Sequence, residues 1–246
     1  MILLKNAVIV TGVSASRGTL GIDGEIITGI WDETPAIPGA EVIDLEGMLL
    51  MAGGIDAHVH FREPGMTWKA DIGTESQAAV LGGITSFIDM PNTSPAATSM
   101  ETIDWKLNRA LETSSANYGF HIGATNSNAS LIREYIESGM GDKFGGIKVF
   151  MGSSTGNMLV DRAEALEDLF RIKGKTILIH SEDESIIKVI SLMPRQDMAQ
   201  LFLSRPILLS VAGKLASNLQ LKPWSWQSNM AQGFTFFTSP PKRKRR

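Results

Sequence analysis

The chain has 246 residues, of which 43% are apolar, and carries a net charge of −3 at pH 7. This length and apolar content can fill the core of one or two domains, and the charge gives no indication of a nucleic-acid partner. The chain contains no cysteine, which excludes disulfides and thiolate metal sites. Because no signal-like N-terminus and no long apolar run is visible, we expect a cytoplasmic protein without membrane contact.

The first fifty residues contain β-type segments separated by Gly, Pro and Asp turns, which predicts a small β-domain over residues 1–50. From residue 51, apolar strand patterns alternate with helix patterns, which is typical of a parallel α/β sheet or barrel. The predicted β-domain segments are 2–10, 18–31 and 41–50. The later predicted strands are 53–58, 84–89, 117–124, 145–151 and 176–180. The predicted helices are 72–82, 100–115, 128–138 and 161–171, with another beginning near residue 182.

Two histidines lie two residues apart at the end of the first strand of the α/β part. His58 and His60 therefore point to the same face of that strand. Two neighbouring imidazoles form half of a site for zinc or a similar divalent ion. The alternative is a pair of polar residues that simply closes a strand, and the His-x-His pattern alone does not decide between the two.

The stretch Gly-Ile-Asp-Ala-His-Val-His-Phe-Arg-Glu-Pro-Gly, residues 54–65, resembles the metal-binding signature of dihydroorotases, within the cyclic amidohydrolase superfamily. Further matches follow in chain order at 89–93, 123–126, 146–152 and 179–183. The resemblance covers residues 1 to about 188. It implies an α/β fold: the TIM-type (β/α) barrel of metal-dependent hydrolases, over residues 51–188, beside a β-sandwich portion.

The resemblance also implies a ligand set for zinc, with two ions in the intact site: His58, His60, Lys148 and His180. A buried lysine is easily neutralised and can react with CO2, so Lys148 is expected to be carboxylated and to bridge the ions. From the sequence alone, Lys148 could equally extend its amine from a strand end to water, and His180 could be structural. His121, inside the third predicted strand, belongs to no motif and is interpreted as structural.

Arg62 and Asn92 are the predicted substrate-binding residues. A guanidinium fits a carboxylate at two points, and dihydroorotate carries one; the amide of Asn92 can add a hydrogen bond. The alternatives are a surface ion pair for Arg62 and a turn residue for Asn92. Arg62 favours dihydroorotase over allantoinase, whose members typically carry Asn here, while hydantoinases use the same barrel for other rings. The segment 152–157 lacks the Gly-Lys-Ser/Thr of a phosphate loop and is interpreted as a loop over the site.

The resemblance implies metal-assisted, reversible hydrolysis of a cyclic amide, linking dihydroorotate and N-carbamoyl-L-aspartate in pyrimidine biosynthesis. The expected partner is this small-molecule substrate, and the intact family suggests a homo-oligomer. The family's sixth-strand His and its proton-shuttling Asp are not found, so no catalytic residue is assigned and we expect little or no turnover. The alternative is a non-catalytic, amidohydrolase-like protein that binds a metal or a partner.

Residues 189–246 show no sustained helix or strand period. A closed (β/α)8 barrel needs about 250 residues, so the predicted units do not close one. We interpret 189–246 as translation out of frame, because a one-base shift after Lys188 can restore a segment containing His-Ile-Leu-His-Leu, similar to the sixth-strand segment of dihydroorotases. The alternative is a divergent tail whose terminal Lys-Arg run is a targeting or nucleic-acid patch. Sequencing the coding DNA tests this hypothesis, because stop codons in the shifted frame would contradict it.

Overall fold

The computed structural model describes residues 1–152 and 158–181, together with the backbone of 234–236. The chain divides into two compact units, Met1–Gly54 and Ile55–Arg246. The predicted division after residue 188 lies outside the described residues, and the domain assignment stays a prediction. None of the described helices is long and apolar enough to cross a membrane.

The first unit is a single mixed sheet built around its first strand. That strand, β1, pairs antiparallel with β2 and parallel with β4 and β5, and β2 pairs antiparallel with β3. Ala7, Ile9 and Leu20 form its small buried core. The segment predicted at 18–31 is two strands, because the chain turns at Gly24, whose φ of +58° suits glycine. The strands are β1 Ile2–Val10, β2 Ala15–Asp23, β3 Ile26–Trp31, β4 Glu41–Asp44 and β5 Leu49–Leu50.

In the second unit, strands alternate with helices, as predicted. The strand orders are β6-β7-β8 and β9-β10-β11-β12, and the β7–β8, β9–β10, β10–β11 and β11–β12 pairs are parallel. The strands are β6 Gly54–Val59, β7 Ile84–Asp89, β8 Asn117–Phe120, β9 Ile122–Gly123, β10 Gly146–Phe150, β11 Thr176–His180 and β12 Phe234–Phe236. The helices are α1 Ile72–Leu81, α2 Met100–Thr113, α3 Ala129–Glu137 and α4 Ala163–Phe170, with a 3-10 turn at Met140–Lys143. The predicted α/β fold, with part of a TIM-type barrel, is confirmed.

Local sequence explains where the helices of this unit begin and end. The carboxylate of Asp71 accepts a hydrogen bond from the Thr74 amide at 2.8 Å and caps α1. Ser99 caps α2 in a reciprocal capping box with Thr102. α1 ends at Leu81, one residue before its predicted end, and Gly83 just beyond it adopts a φ of +84° that other residues avoid. The apolar sides of these helices pack on the strands around Phe87, Ile103, Phe120, Ile132, Ile147 and Leu169.

The third strand differs from its prediction. Residues 117–124 were expected to form one strand, but β8 and β9 are separated at His121. The main chain remains hydrogen-bonded across this break: the His121 amide donates to the Asp89 carbonyl at 3.0 Å, and the Gly145 amide donates to the Phe120 carbonyl at 2.9 Å. The ladder is interrupted where the His121 side chain bonds to a strand carbonyl of β6.

β12 is a parallel strand that the sequence did not predict. It pairs with β11 in the register Ile177 to Phe234 and Ile179 to Phe236. Three residues are too short for a recognisable period, so pattern analysis could not find this strand. The predictions for the loop at 153–157, for the helix near residue 182 and for the rest of 189–246 lie outside the described residues.

Candidate metal centre

His58 and His60 lie together at the carboxyl end of β6, with ring centroids 5.4 Å apart. Nδ1 of His60 lies 2.8 Å from Oδ1 of Asn92. Because an amide oxygen only accepts hydrogen bonds, Nδ1 of His60 carries the proton and Nε2 carries the lone pair. A hydrogen bond of this kind orients an imidazole and prepares its other nitrogen for a metal ion.

Both imidazoles are neutral at pH 7. The pKa of His58 is lowered to about 4, mainly by burial and in addition by the positive charge of Lys148 and by the neighbouring His60. Burial also lowers the pKa of His60, against the opposing effect of its hydrogen bond to Asn92. A metal ion would therefore not have to displace a proton from either ring at neutral pH.

Lys148 lies in the middle of β10 and is only 1% exposed. It therefore does not extend its amine to water, which was the alternative that the sequence left open. Nζ of Lys148 lies 4.8 Å from the ring centroid of Phe150. Its positive charge acts on His58, His60 and His121 and lowers the pKa values of all three.

His180 ends β11 and pairs in register with Phe150 on β10. The rings of these two residues are 5.8 Å apart. Within the part of the chain that the structure describes, no three His, Cys, Asp or Glu side chains form a metal-binding cluster. The described donors fit one half of a metal site, namely two neutral imidazoles beside a buried amine. The predicted ligand set that includes His180 stays a prediction.

The predicted substrate residues lie in the loops that follow β6 and β7. Arg62 is half-buried and has a φ of +64°, and its charge lowers the pKa of His60. Asn92 is 8% exposed. The two loops touch through their main chains: the Ser94 amide donates to the Pro64 carbonyl at 3.1 Å. A Cβ on Gly65 would collide with the Ser94 carbonyl oxygen, so only glycine fits there.

A buried ion pair beneath these loops was not predicted. Nζ of Lys106 donates to Asp89 at 2.6 Å, and both side chains are fully buried. The other carboxylate oxygen of Asp89 accepts from the Phe61 amide at 2.9 Å, next to His60. Nζ of Lys106 also donates to the Met90 carbonyl at 3.3 Å. These bonds join the ends of β6 and β7 to α2.

The signal for this ion pair is visible in the helix pattern of α2. Lys106 lies three residues after Ile103 and four before Ala110, and both of these are buried. A lysine in the buried stripe of a helix needs a partner, because burying an unpaired charge is very unfavourable. The sequence could therefore have indicated a buried partner for Lys106, although not which carboxylate supplies it.

The chain is similar to known enzymes over most of its described length. It is 38% identical over 185 residues to the dihydroorotase of Methanosarcina acetivorans, covering 74% of this chain and 39% of that protein. It is 36% identical over 174 residues to the allantoinase of Deinococcus radiodurans, covering 70% of this chain and 37% of that protein. The chain thus spans about two fifths of the length of these curated relatives.

The fold also has solved counterparts. The structure of the L-hydantoinase (dihydropyrimidinase) from Arthrobacter aurescens superposes with a TM-score of 0.81 at 21% identity, covering 96% of this chain and 52% of that one. This likeness concerns the fold alone. The sequence profile of the amidohydrolase family matches residues 49–197. The chain belongs to the amidohydrolase family.

Proposed function

We propose that this chain carries the first part of a dihydroorotase active site, for reversible hydrolysis of dihydroorotate to N-carbamoyl-L-aspartate. The observation that carries the proposal is the pair of neutral imidazoles, His58 and His60, beside the buried amine of Lys148. The similarity to dihydroorotases over 74% of the chain supports the same reaction class. The substrate is a small molecule, and we place the reaction in the cytoplasm, in a homo-oligomer.

The proposed metal is zinc, as a pair of ions in the intact site. His58 and His60 would hold it, with Nε2 as the ligand atom of His60 because Nδ1 is bonded to Asn92. Carboxylated Lys148 and His180 complete the proposed ligand set. When bound, the metal would polarise the ring carbonyl and lower the pKa of water.

The residues of the chain have separate tasks in this proposal. Arg62 would bind the substrate carboxylate with two parallel hydrogen bonds, since a planar guanidinium matches that group. Asn92 fixes the tautomer of His60 through its carbonyl oxygen, and its amide nitrogen can donate to the same carboxylate. Asn92 would therefore connect substrate binding with the orientation of a ligand, which its predicted role did not include.

Two other functions remain as alternatives. One is hydrolysis of allantoin or a hydantoin; the chain is also similar to an allantoinase, but its similarity to dihydroorotases is higher. Arg62 argues against this alternative, because allantoinases typically carry Asn where this chain has Arg62. The other is metal or partner binding without turnover. Calorimetry with dihydroorotate and allantoin separates the substrates: we expect Arg62→Asn to weaken dihydroorotate binding selectively, and equal binding of both molecules by the unaltered chain would contradict the assignment.

The metal assignment is tested by zinc content. We expect the purified 246-residue chain to bind zinc in stoichiometric amount and the double variant His58→Ala, His60→Ala to lose it, because both proposed imidazole ligands are gone. Zinc would be measured by mass spectrometry after dialysis, with Lys143→Ala on the protein surface as the control. Unchanged zinc content in the double variant would remove His58 and His60 from the site.

A further inference from the structure

His121 is a buried polar residue that the proposed function does not use. It is 3% exposed, and its Nε2 lies 3.0 Å from the carbonyl oxygen of Ala57. A carbonyl oxygen only accepts, so Nε2 is the donor and the proton of the ring lies there. Nδ1 is buried and has no hydrogen-bond partner among the described residues.

The carbonyl that His121 contacts belongs to the peptide that joins Ala57 to His58. The amide nitrogen of the same peptide donates to the carboxylate of Asp56 at 3.0 Å. One peptide unit is thus held at its oxygen by His121 and at its nitrogen by Asp56. Because this peptide precedes the Cα of His58, its orientation sets the direction of the His58 side chain.

The His121 ring packs against Gly146, which begins β10, and against Gly145 just before it. A Cβ on Gly146 would lie 3.2 Å from Nδ1 of His121, and one on Gly145 would lie 3.5 Å from Cε1. Gly146 begins the strand that carries Lys148 two residues later. The ring therefore lies between the strand of the two histidines and the strand of the lysine, in contact range of both.

We propose that His121 is a positioning residue for the metal centre: its Nε2–H fixes the Ala57–His58 peptide, and its ring sets the distance between β6 and β10. This inference rests on the proposed function for its purpose, but not for its geometry. The role requires a donor at the place of Nε2, because the partner is a carbonyl oxygen. It does not require a charge, and burial lowers the pKa of His121 so that the ring stays neutral.

Two substitutions by amide side chains test whether the hydrogen-bond donor at Nε2 matters or whether any polar side chain at this position is sufficient. The amide nitrogen of Gln can occupy the position of Nε2, whereas that of Asn corresponds to Nδ1 and falls short of Ala57. We expect His121→Asn to release the Ala57 carbonyl and so loosen the peptide whose His58 amide is bonded to Asp56, raising the hydrogen-exchange rate of that amide in the metal-free chain by about tenfold or more. It should also weaken zinc binding by roughly 10- to 100-fold, the usual effect of losing a group that orients a ligand. His121→Gln should stay close to the unaltered chain in both measurements.

The exchange measurement uses the full chain without metal, and the zinc affinity is measured on the same preparations by competition with a chelator. Exchange and zinc affinity of His121→Asn equal to those of the unaltered chain would overturn the proposal. Equal losses for Asn and Gln, with a common drop in the urea midpoint, would also overturn it, because they indicate a purely structural role. If the unaltered chain binds no zinc, the proposed function fails, and the exchange of the His58 amide alone decides the role of His121.

Discussion

Two buried lysines of the second unit have almost the same burial and differ in the contacts that the structure describes. Lys106 is fully buried with Nζ 4.9 Å from the ring centroid of Phe120, and Lys148 is 1% exposed with Nζ 4.8 Å from that of Phe150. Lys106 donates to a carboxylate, Asp89, at 2.6 Å. Lys148 instead lies near imidazoles and lowers the pKa of His58 and of the others around it.

The groups around each lysine therefore separate a structural role from a role in the candidate metal site better than the exposed fraction does. The Asp89 carboxylate pairs with Lys106, and this pair joins α2 to the strand ends. Lys148 is 1% exposed, and burial of an amine disfavours its charged form relative to the neutral form that can react with CO2. Carboxylation of Lys148 would replace a positive charge by a negative one and turn the electrostatic penalty on His58 into an attraction.

The strongest test of this comparison removes the charge of Lys106. Lys106→Met leaves the Asp89 carboxylate buried beside an apolar side chain, so we expect the free energy of unfolding to fall by about 3–5 kcal/mol. Urea titration followed by circular dichroism measures the change. Lys143→Met is the control, because its pair with Asp104 at 2.8 Å is exposed and should contribute less than about 1 kcal/mol.

A double variant separates loss of the ion pair from loss of packing. Lys106→Met with Asp89→Asn removes both charges and retains an oxygen that can accept from the Phe61 amide. We expect this variant to regain at least about half of the lost stability, since the cost comes mainly from the stranded carboxylate. No recovery would mean that packing by the lysine stem, and not its charge, stabilises this region.

The second test makes the same substitution at Lys148. Lys148→Met keeps a side chain of similar volume, so we expect the variant to remain folded. The same variant should bind less zinc than the unaltered chain, because it cannot form a carbamate. Lys148→Glu, which restores a carboxylate, should retain more zinc than Lys148→Met. A loss of stability as large as that of Lys106→Met, with unchanged zinc, would contradict the contrast between the two lysines.

The smallest effect concerns pH. In the metal-free chain His58 has a folded pKa of about 4, against an ordinary value of 6.5, so the unfolded chain binds the proton first on acidification. Stability from this group is therefore full above about pH 6.5 and is lost as pH falls toward about 4. His58→Gln should show a shallower fall of unfolding free energy over this interval. Identical pH profiles would show that His58 does not titrate as its burial indicates.

Much of the fold could be predicted because each element has a local signal. The bounds of β7 and β11 coincide with their predictions, since apolar runs there end at clear turns. The break at His121 could not be predicted, because it depends on a carbonyl 64 residues away in the chain. The third strand was for that reason expected to be continuous.

In the candidate site, too, features with a local sequence signal could be predicted and features that depend on distant residues could not. The motifs identified His58 and His60, and their strand spacing was enough to place both on one face. The bond between His60 and Asn92 spans 32 residues, and the ion pair between Lys106 and Asp89 spans 17. Such partners are chosen by how loops and helices dock on the sheet, and no local pattern contains that information.

The contact between Gly65 and Ser94 has a consequence for changing substrate preference. Arg62 and Asn92 are carried by two loops whose main chains are hydrogen-bonded and touch where only glycine fits. Reshaping one loop alone would push against the backbone of the other. Laboratory evolution toward other rings should therefore accept paired changes in both loops more readily than single insertions in either. The two loops are therefore expected to change together, although Arg62 and Asn92 lie 30 positions apart in the sequence.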